Sequence, residues 1–125
     1  MQPRQPDNAI RSDSEANQPL PTRLATQLEP GTRHALMHGM RRRILRAFAE
    51  SATARTTQDL LTAFPGAGLS SVNYHVLVLC ECGSLTVSRV EQARGSLTRS
   101  FVSTVADDPQ IVAVLRATEQ LDDVC

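Results

Sequence analysis

The spacing of the apolar residues changes at Gly83, from the repeat of a helix to that of extended strands. Between positions 72 and 79 they recur every three or four residues, which places them on one face of an α-helix. Segments 85–90 and 97–102 instead read as two short strands, and the Gly-containing stretch 91–96 between them predicts a hairpin tip. Because Gly83 is suited to the left-handed residue that ends a helix, we expect the chain to pass from a helix directly into a β-hairpin.

Two further helices are predicted upstream of this one. Residues 34–50 show helical spacing of the apolar side chains, with Arg42, Arg43 and Arg46 on the opposite side. This pattern predicts one amphipathic helix with a basic outer face. Thr56 is a suitable N-cap for a second, short helix, which the Pro and Gly residues of 65–68 end.

The helix before Gly83 is expected to begin at Ser70 or Ser71, which can cap it, and to run to Cys82. A helical wheel places Asn73, Tyr74, Leu77 and Glu81 on the side opposite the apolar face. The predicted architecture is thus two short helices joined by a Gly-containing turn, the second with exposed polar groups, and then a hairpin. This order is typical of a winged helix-turn-helix, a mainly α fold with a small β-hairpin (α+β).

The chain divides into three parts by composition. Residues 1–32 are rich in proline and polar residues, so we expect a disordered or loosely docked arm before the winged helix-turn-helix domain at 33–106. In residues 107–125, Asp107 or Asp108 can cap a helix that has Pro109 in its first turn. One stripe of that helix predicts either a dimer interface or docking on its own domain, and consists of Ile111, Val114, Leu115, Thr118 and Leu121.

Charge is distributed unevenly although the formal net charge is zero. Residues 33–104 contain nine arginines and four acidic residues, whereas both ends of the chain are acidic. Such a basic middle suits a polyanionic partner. The chain shows no phosphate-binding loop and no nucleophile or acid/base motif, so we predict no enzyme activity. With neither a signal peptide nor an apolar stretch near membrane-spanning length, we expect a cytoplasmic protein without a membrane partner.

Three segments carry a resemblance to a known family: HGMRRRILRAF at 38–48, LSSVNYHV at 69–76 and RGSL at 94–97. Together with the order of elements, they resemble the ArsR-type winged helix-turn-helix repressors over roughly residues 34 to 121. The resemblance implies a homodimeric transcriptional regulator, a repressor, that binds double-stranded DNA through its third helix and its wing. Leu77 departs from the family, which often has Arg or Lys there, and Thr57, Gln58 and Asp59 stand where metal-sensing members carry a Cys-rich motif.

The residues predicted to contact DNA come from three elements. They are Arg42 and Arg46 of the first helix, Ser70, Ser71, Asn73, Tyr74 and His75 of the third helix, and Arg89, Arg94 and Arg99 of the hairpin. His75 lies next to the apolar side of its helix, so it is either a base reader or a hydrogen-bonded boundary residue. The alternative function is a winged-helix module that binds protein instead of DNA, with Leu77 as an apolar contact.

No metal site or cofactor is predicted. Cys80 and Cys82 point about 200° apart on a helix, which favours small packing residues over a thiolate pair. His34 and His38 have the i, i+4 spacing of zinc ligands, but the intervening residues lack a catalytic glutamate, so surface residues are the preferred interpretation. The sequence does not identify a small-molecule inducer.

Overall fold

The computed structural model describes residues 19–50 and 53–122, and within them the fold is α+β. The strands form one small antiparallel sheet of order β1-β3-β2. The elements of the described residues are, in chain order, α1 (Thr22–Ala25), α2 (Pro30–Leu36), α3 (Gly39–Ala49), β1 (Arg55–Thr56), α4 (Thr57–Ala63), α5 (Leu69–Glu81), β2 (Leu85–Ala93), β3 (Ser96–Ser103), α6 (Pro109–Ala117) and α7 (Glu119–Asp122).

The segment around α1 belongs to the hydrophobic core. Leu20, Ala25 and Leu28 are buried in the same cluster as the apolar residues of α3 and α5. Arg33 also holds this segment in place, because its guanidinium donates hydrogen bonds to the backbone carbonyls of Ala25 and Leu28, at 3.1 Å each. Of the two states predicted for the arm at 1–32, disordered or loosely docked, residues 20–28 are in the docked one, and their apolar side chains are buried. Residues 1–18 of that arm lie outside the described residues.

The predicted helix 34–50 is wrong in one respect, because it is two helices. His38 has an extended backbone (φ −103°, ψ 140°) between α2 and α3, and α3 begins at Gly39. Glycine costs about 1 kcal/mol relative to alanine inside a helix, so a break at this position is inexpensive. The break leaves carbonyl groups at the end of α2 without helical partners. Arginines of α3 bond to these carbonyls, as described below.

Helix α4 begins as the sequence predicts. Thr56 accepts a hydrogen bond from the backbone N–H of Asp59, and the Asp59 carboxylate accepts one from the N–H of Thr56. This reciprocal capping box fixes the first turn. For α5 the predicted caps are wrong, because the N-cap is Gly68 and the helix starts at Leu69. Ser70 and Ser71 consequently lie inside the first turn.

A Schellman motif joins α5 to the hairpin. Gly83 has φ +81°, as expected for the left-handed residue after a helix. The N–H of Ser84 bonds to the carbonyl of Leu79 and that of Gly83 to the carbonyl of Cys80, at 2.9 and 3.0 Å. Thr104, at the far end of β3, donates its own N–H to the carbonyl of Ser84. The direction in which the hairpin leaves α5 is therefore set by hydrogen bonds on both strands.

The hairpin turns at Arg94 and Gly95, a tighter tip than the predicted 91–96. Both residues have positive φ, 54° and 82°, which is the requirement of a type I′ turn. Val87 pairs with Phe101 and Arg89 with Ser100, so the register shifts at Ser88. An extra residue on one strand is a β-bulge, and it increases the local twist of the hairpin.

Helix α6 starts as predicted, with Asp108 as N-cap and Pro109 in the first turn. Its apolar stripe docks on the chain's own core, the second of the two predicted possibilities. The stripe residues Ile111, Val114, Leu115 and Thr118 are buried, and Leu121 is half-buried. These residues are already covered within one chain, so the prediction that they form the dimer interface is corrected. Their periodicity is the same whichever surface covers them.

Across residues 19–50 and 53–122, none of the helices combines the length and the apolar character that crossing a membrane requires.

Candidate functional site

Helix α5 presents one side to solvent and buries the other, as its periodicity predicts. The exposed side chains are Leu69, Ser70, Asn73, Tyr74, Leu77 and Glu81. Ser71 is half-buried at the boundary between the two sides. The Asn73 amide bonds to none of the residues that the structure describes, so its donor and acceptor groups are available to a ligand. This side of α5 is the first half of the candidate site.

Three exposed arginines of the hairpin form the other half. Arg94 lies in the turn, and Arg89 and Arg99 lie on the two strands. Arg89 has only a long, solvent-exposed contact to Glu91, with 3.6 Å between Nε and Oε2, and such surface pairs contribute little. Arg99 pairs across the hairpin with Val90 and Arg89 with Ser100. Since neighbouring positions of a strand face opposite sides, the two arginines lie on opposite faces of the hairpin.

A groove of about 650 Å³ separates α5 from the hairpin. Its walls include Leu77 of α5 and Val87 and Leu97 of the hairpin, which are 52%, 43% and 55% exposed. Phe101 lies at its base and is buried. Residues 56–58, at the end of β1 and the start of α4, also line it. The groove is thus an apolar concavity between the two halves of the candidate site.

His75 belongs to the core side of α5, and its predicted contact with DNA is corrected here. It is only 5% exposed, and its Nδ1 lies 3.4 Å from Nη1 of Arg41. Arg41 can only donate, so Nδ1 accepts and the proton of the neutral ring is on Nε2. The alternative interpretation, a hydrogen-bonded boundary histidine, agrees with this geometry.

The surroundings of His75 hold its imidazole neutral. Its pKa is lowered from 6.5 to about 4, first by burial and then by the charge of Arg41 and by His38. The His38 ring lies 5.3 Å from that of His75, and the Tyr74 ring packs edge-on at 5.1 Å. Burial also lowers the pKa of His38. The imidazole of His75 is therefore a neutral hydrogen-bond acceptor for the Arg41 guanidinium beneath the exposed side of α5.

Arg42 and Arg46, predicted to reach DNA, instead bind Asp122. Arg42 has no exposed surface, and its Nε and Nη2 donate to the two carboxylate oxygens at 2.8 and 2.7 Å. Arg46 Nη1 donates to Oδ2 of the same carboxylate at 2.8 Å. Arg43 Nε bonds to the Asp122 backbone carbonyl at 3.1 Å. The prediction for Arg42 and Arg46 is corrected, because both guanidinium groups form ion pairs with Asp122 of the same chain.

The same arginines also bond to helix ends. Arg42 Nη1 donates to the Leu36 carbonyl at 2.7 Å, and Arg46 Nη2 donates to the Leu115 carbonyl at 2.8 Å. Arg41 Nη2 donates to the His34 carbonyl at 2.8 Å. These carbonyls lie in last turns, where helices lack internal donors. The arginines of α3 thus link the ends of α2 and α6 to one carboxylate.

Asp122 is the residue that sequence reasoning missed. It was counted only as part of an acidic end, because pattern analysis along one helix does not show which distant carboxylate folds back on it. A fully buried arginine requires a partner, and this requirement becomes visible only once Arg42 is known to be buried.

The cysteines and histidines form no metal cluster in the part of the chain that the structure describes. Cys80 and Cys82 pack against the core, and burial raises the pKa of both thiols. His34 and His38 do not share a helix face, since the break between α2 and α3 lies between them. Cys125 lies outside the described residues.

Neither a protein-family model nor a curated protein matches the chain. The resemblance to the ArsR-type regulators consequently stays a prediction from three sequence segments. The functional assignment below depends on the geometry of α5 and the hairpin.

Proposed function

We propose that the chain is a winged helix-turn-helix protein that binds double-stranded DNA as a homodimer and represses transcription. One observation carries this proposal. The exposed early turns of α5 lie beside a hairpin with three exposed arginines, and the Schellman motif sets the direction in which that hairpin leaves the helix. A protruding helix with a flanking basic ribbon is the arrangement by which this class of protein enters a major groove and contacts the adjacent backbone.

Helix α5 is the element proposed to read bases. Ser70, Asn73 and Tyr74 lie on its exposed first turns, from which side chains reach base edges. An asparagine amide can bond adenine through N6 and N7 together, which discriminates it from the other bases. Leu77 has no polar group, and its proposed contact is a thymine methyl.

The hairpin is the element proposed to contact phosphates. Arg89, Arg94 and Arg99 are exposed, and among the described residues only Arg89 contacts a carboxylate, at 3.6 Å. Arginine binds phosphate through parallel hydrogen bonds, and such contacts position a protein without reading sequence. Arg42 and Arg46, which bind Asp122, are not part of this proposal.

The homodimer is part of the proposal, but its interface excludes the buried stripe of α6. Sedimentation equilibrium measures the assembly directly. A monomer at all concentrations up to that used for DNA binding would remove the homodimer from the proposal and leave the DNA contacts to be judged separately.

Fluorescence anisotropy with labelled random duplex at low salt tests DNA binding. Each phosphate contact lowers the slope of log K against log salt by about 0.9, so three hairpin arginines give a slope of about −3 per subunit. Arg94→Asn removes one charge and keeps a residue that tolerates the turn, so the slope should change by about one. Arg116→Gln on α6 is the matched control, because Arg116 is exposed but lies outside the proposed face.

Genome-wide occupancy then identifies an operator for the test of base reading. Asn73→Ala should weaken operator binding by about 1 to 3 kcal/mol and random DNA much less. An unchanged ratio of operator to random affinity would remove Asn73 from base reading. If no duplex binds at any salt concentration, the winged-helix module that binds protein replaces the present proposal.

A further inference from the structure

The groove between α5 and the hairpin leaves several large aliphatic side chains in water. Leu77, Val87 and Leu97 line it from both sides and each retains roughly half of its surface exposed. Burial of apolar surface gains about 25 cal/mol per Å². Aliphatic side chains that converge on one concavity of about 650 Å³ have the size and composition of a small-molecule site.

The polar groups of the groove specify the charge of its ligand. Of the described residues that line it, only Arg99 is charged. The Arg99 guanidinium makes no ion pair with a described residue. The Asn73 amide likewise makes no hydrogen bond to a described residue. Cys80 also lines the groove, and burial, with a smaller effect of Glu81, raises the pKa of its thiol. The groove therefore combines apolar side chains, the uncharged polar groups of Thr56, Thr57, Gln58 and Thr98, and one available cation.

We propose that this groove binds a small organic carboxylate, with its apolar part between Leu77 and Leu97 and its carboxylate on Arg99. A guanidinium offers two parallel N–H donors that match the two oxygens of a carboxylate. The apolar walls supply binding free energy and Arg99 supplies the selection for an anion. The site belongs to a single chain and does not depend on DNA binding.

Titration with 2-naphthoate, monitored by the NMR shifts of backbone amides, tests the site. Saturable 1:1 binding is expected, with the shifts concentrated at residues 73, 77, 87, 97 and 99. The neutral analogue 2-naphthalenemethanol should bind about tenfold more weakly, which corresponds to about 1.4 kcal/mol for the lost ion pair. No saturation by 2-naphthoate or octanoate in the millimolar range, or shifts centred on another surface, would overturn the proposal.

Two substitutions separate the charged from the apolar contribution. Arg99→Gln should weaken 2-naphthoate about tenfold and leave the alcohol within about twofold. Leu97→Asn should weaken both ligands about fivefold. Both positions are exposed, so the fold tolerates these changes. Equal affinity of wild type for the acid and the alcohol, with no effect of Arg99→Gln, would show that the anion is not selected and would overturn the proposal.

Matched controls come from outside the groove. Arg89→Gln removes an exposed arginine from the opposite face of the hairpin, and Leu69→Asn removes an exposed leucine from α5. Neither residue lines the groove, so both variants should bind 2-naphthoate as wild type does. A loss of binding in Arg89→Gln as large as in Arg99→Gln would indicate nonspecific attraction of anions and would overturn the proposal.

Competition between the carboxylate and DNA rests on the proposed function, whereas the carboxylate site itself does not. Asn73 and Leu77 belong both to the groove and to the helix proposed to enter the major groove, so carboxylate and duplex should exclude each other. At about ten times its dissociation constant, 2-naphthoate should weaken duplex binding about tenfold. Binding of the acid without binding of DNA would refute only the proposed function, and binding of DNA without the acid would refute only this site. Simultaneous, independent binding of both would overturn their mutual exclusion.

Discussion

Asp122 neutralises the most deeply buried charge of α3. Arg42 is entirely buried and Asp122 is 2% exposed, so neither group is solvated by bulk water. Removing two charges from water costs several kcal/mol, which the pair offsets only because its hydrogen bonds are short and bidentate. The role of Asp122 is to keep this arginine, and Arg46 with it, from being an unpaired buried cation.

Asp122→Asn should lower the free energy of unfolding by about 3 kcal/mol, because a buried guanidinium then faces a neutral amide. Urea denaturation followed by circular dichroism measures the change. Glu119→Gln is the control, since Glu119 precedes Asp122 by one helical turn on α7 and is exposed. A change below about 1 kcal/mol in Asp122→Asn would mean that the carbonyl acceptors alone satisfy Arg42.

His75 should make the protein sensitive to mild acid. Its pKa is about 4 in the folded chain, because of burial and then Arg41, against 6.5 for an ordinary histidine. Above pH 6.5 the ring is neutral in both states and its contribution to stability is complete. As the pH falls from 6.5 towards 4, the unfolded chain takes up the proton and the folded chain does not, so up to about 3 kcal/mol of stability is lost.

The test is the free energy of unfolding between pH 7 and 4.5. His75→Asn should flatten this profile, since the Asn oxygen can still accept from Arg41 but does not titrate. His34→Gln, which alters an exposed histidine, should leave the slope as in wild type. An equally steep profile in His75→Asn would assign the acid sensitivity to other groups, His38 first among them.

At the scale of elements, the turn of the hairpin depends on two left-handed residues. Gly95 has φ +82°, where a Cβ is unfavourable even though nothing lies within 4 Å of it. Gly95→Ala should therefore destabilise the protein by about 1 to 2 kcal/mol through backbone strain alone. Gly31→Ala is the matched control, because Gly31 lies in α2 with equally open surroundings and alanine favours a helix. Thermal unfolding compares the two, and a neutral Gly95→Ala would indicate that the turn relaxes to another type.

Local signals predicted those elements whose ends are set by neighbouring residues. Thr56 with Asp59, Gly83, and Asp108 with Pro109 each mark an end where the structure has one. Each of these ends depends on a hydrogen bond or a backbone angle set by residues a few positions apart, so the local sequence is enough to predict it. The same holds for the exposed side of α5, and hence for half of the candidate site.

Features that depend on distant partners could not be predicted in this way. The periodicity of α3 separates an apolar from a polar side, but it does not show that Asp122 will cover the polar side. At the break at His38, arginines of α3 bond to carbonyls of α2 only six or seven residues away, and helical spacing of the apolar residues does not show these bonds. Burial of the α6 stripe follows likewise from tertiary packing and not from its own spacing.

At the scale of the whole molecule, the basic middle of the sequence is largely internal. Of its nine arginines, Arg41 and Arg42 are buried, and Arg46 is mostly covered in its ion pair with Asp122. The charge count over residues 33–104 therefore overstates what a partner meets. The positive surface beside α5 comes from the hairpin instead, which is why the proposed phosphate contacts are placed there.

Deletion of residues 107–125 should unfold the protein rather than produce a folded monomer. It removes Ile111, Val114 and Leu115 from the core and leaves Arg42 without Asp122. Loss of the cooperative thermal transition in circular dichroism, with collapsed amide dispersion in NMR, is the expected result. A truncated chain that keeps dispersed amide signals would show that α6 and α7 are accessory to the fold.

The pairing of Arg42 with Asp122 is also expected to affect how long the native state persists. The two residues are 80 positions apart, so closing the segment between them costs entropy, and the contact is expected to form after the folding barrier. Removing an interaction that is absent from the transition state raises the unfolding rate and leaves the folding rate nearly unchanged. Asp122→Asn should therefore accelerate unfolding and scarcely slow folding. The ion pair is then expected to lower the unfolding rate much more than it raises the folding rate.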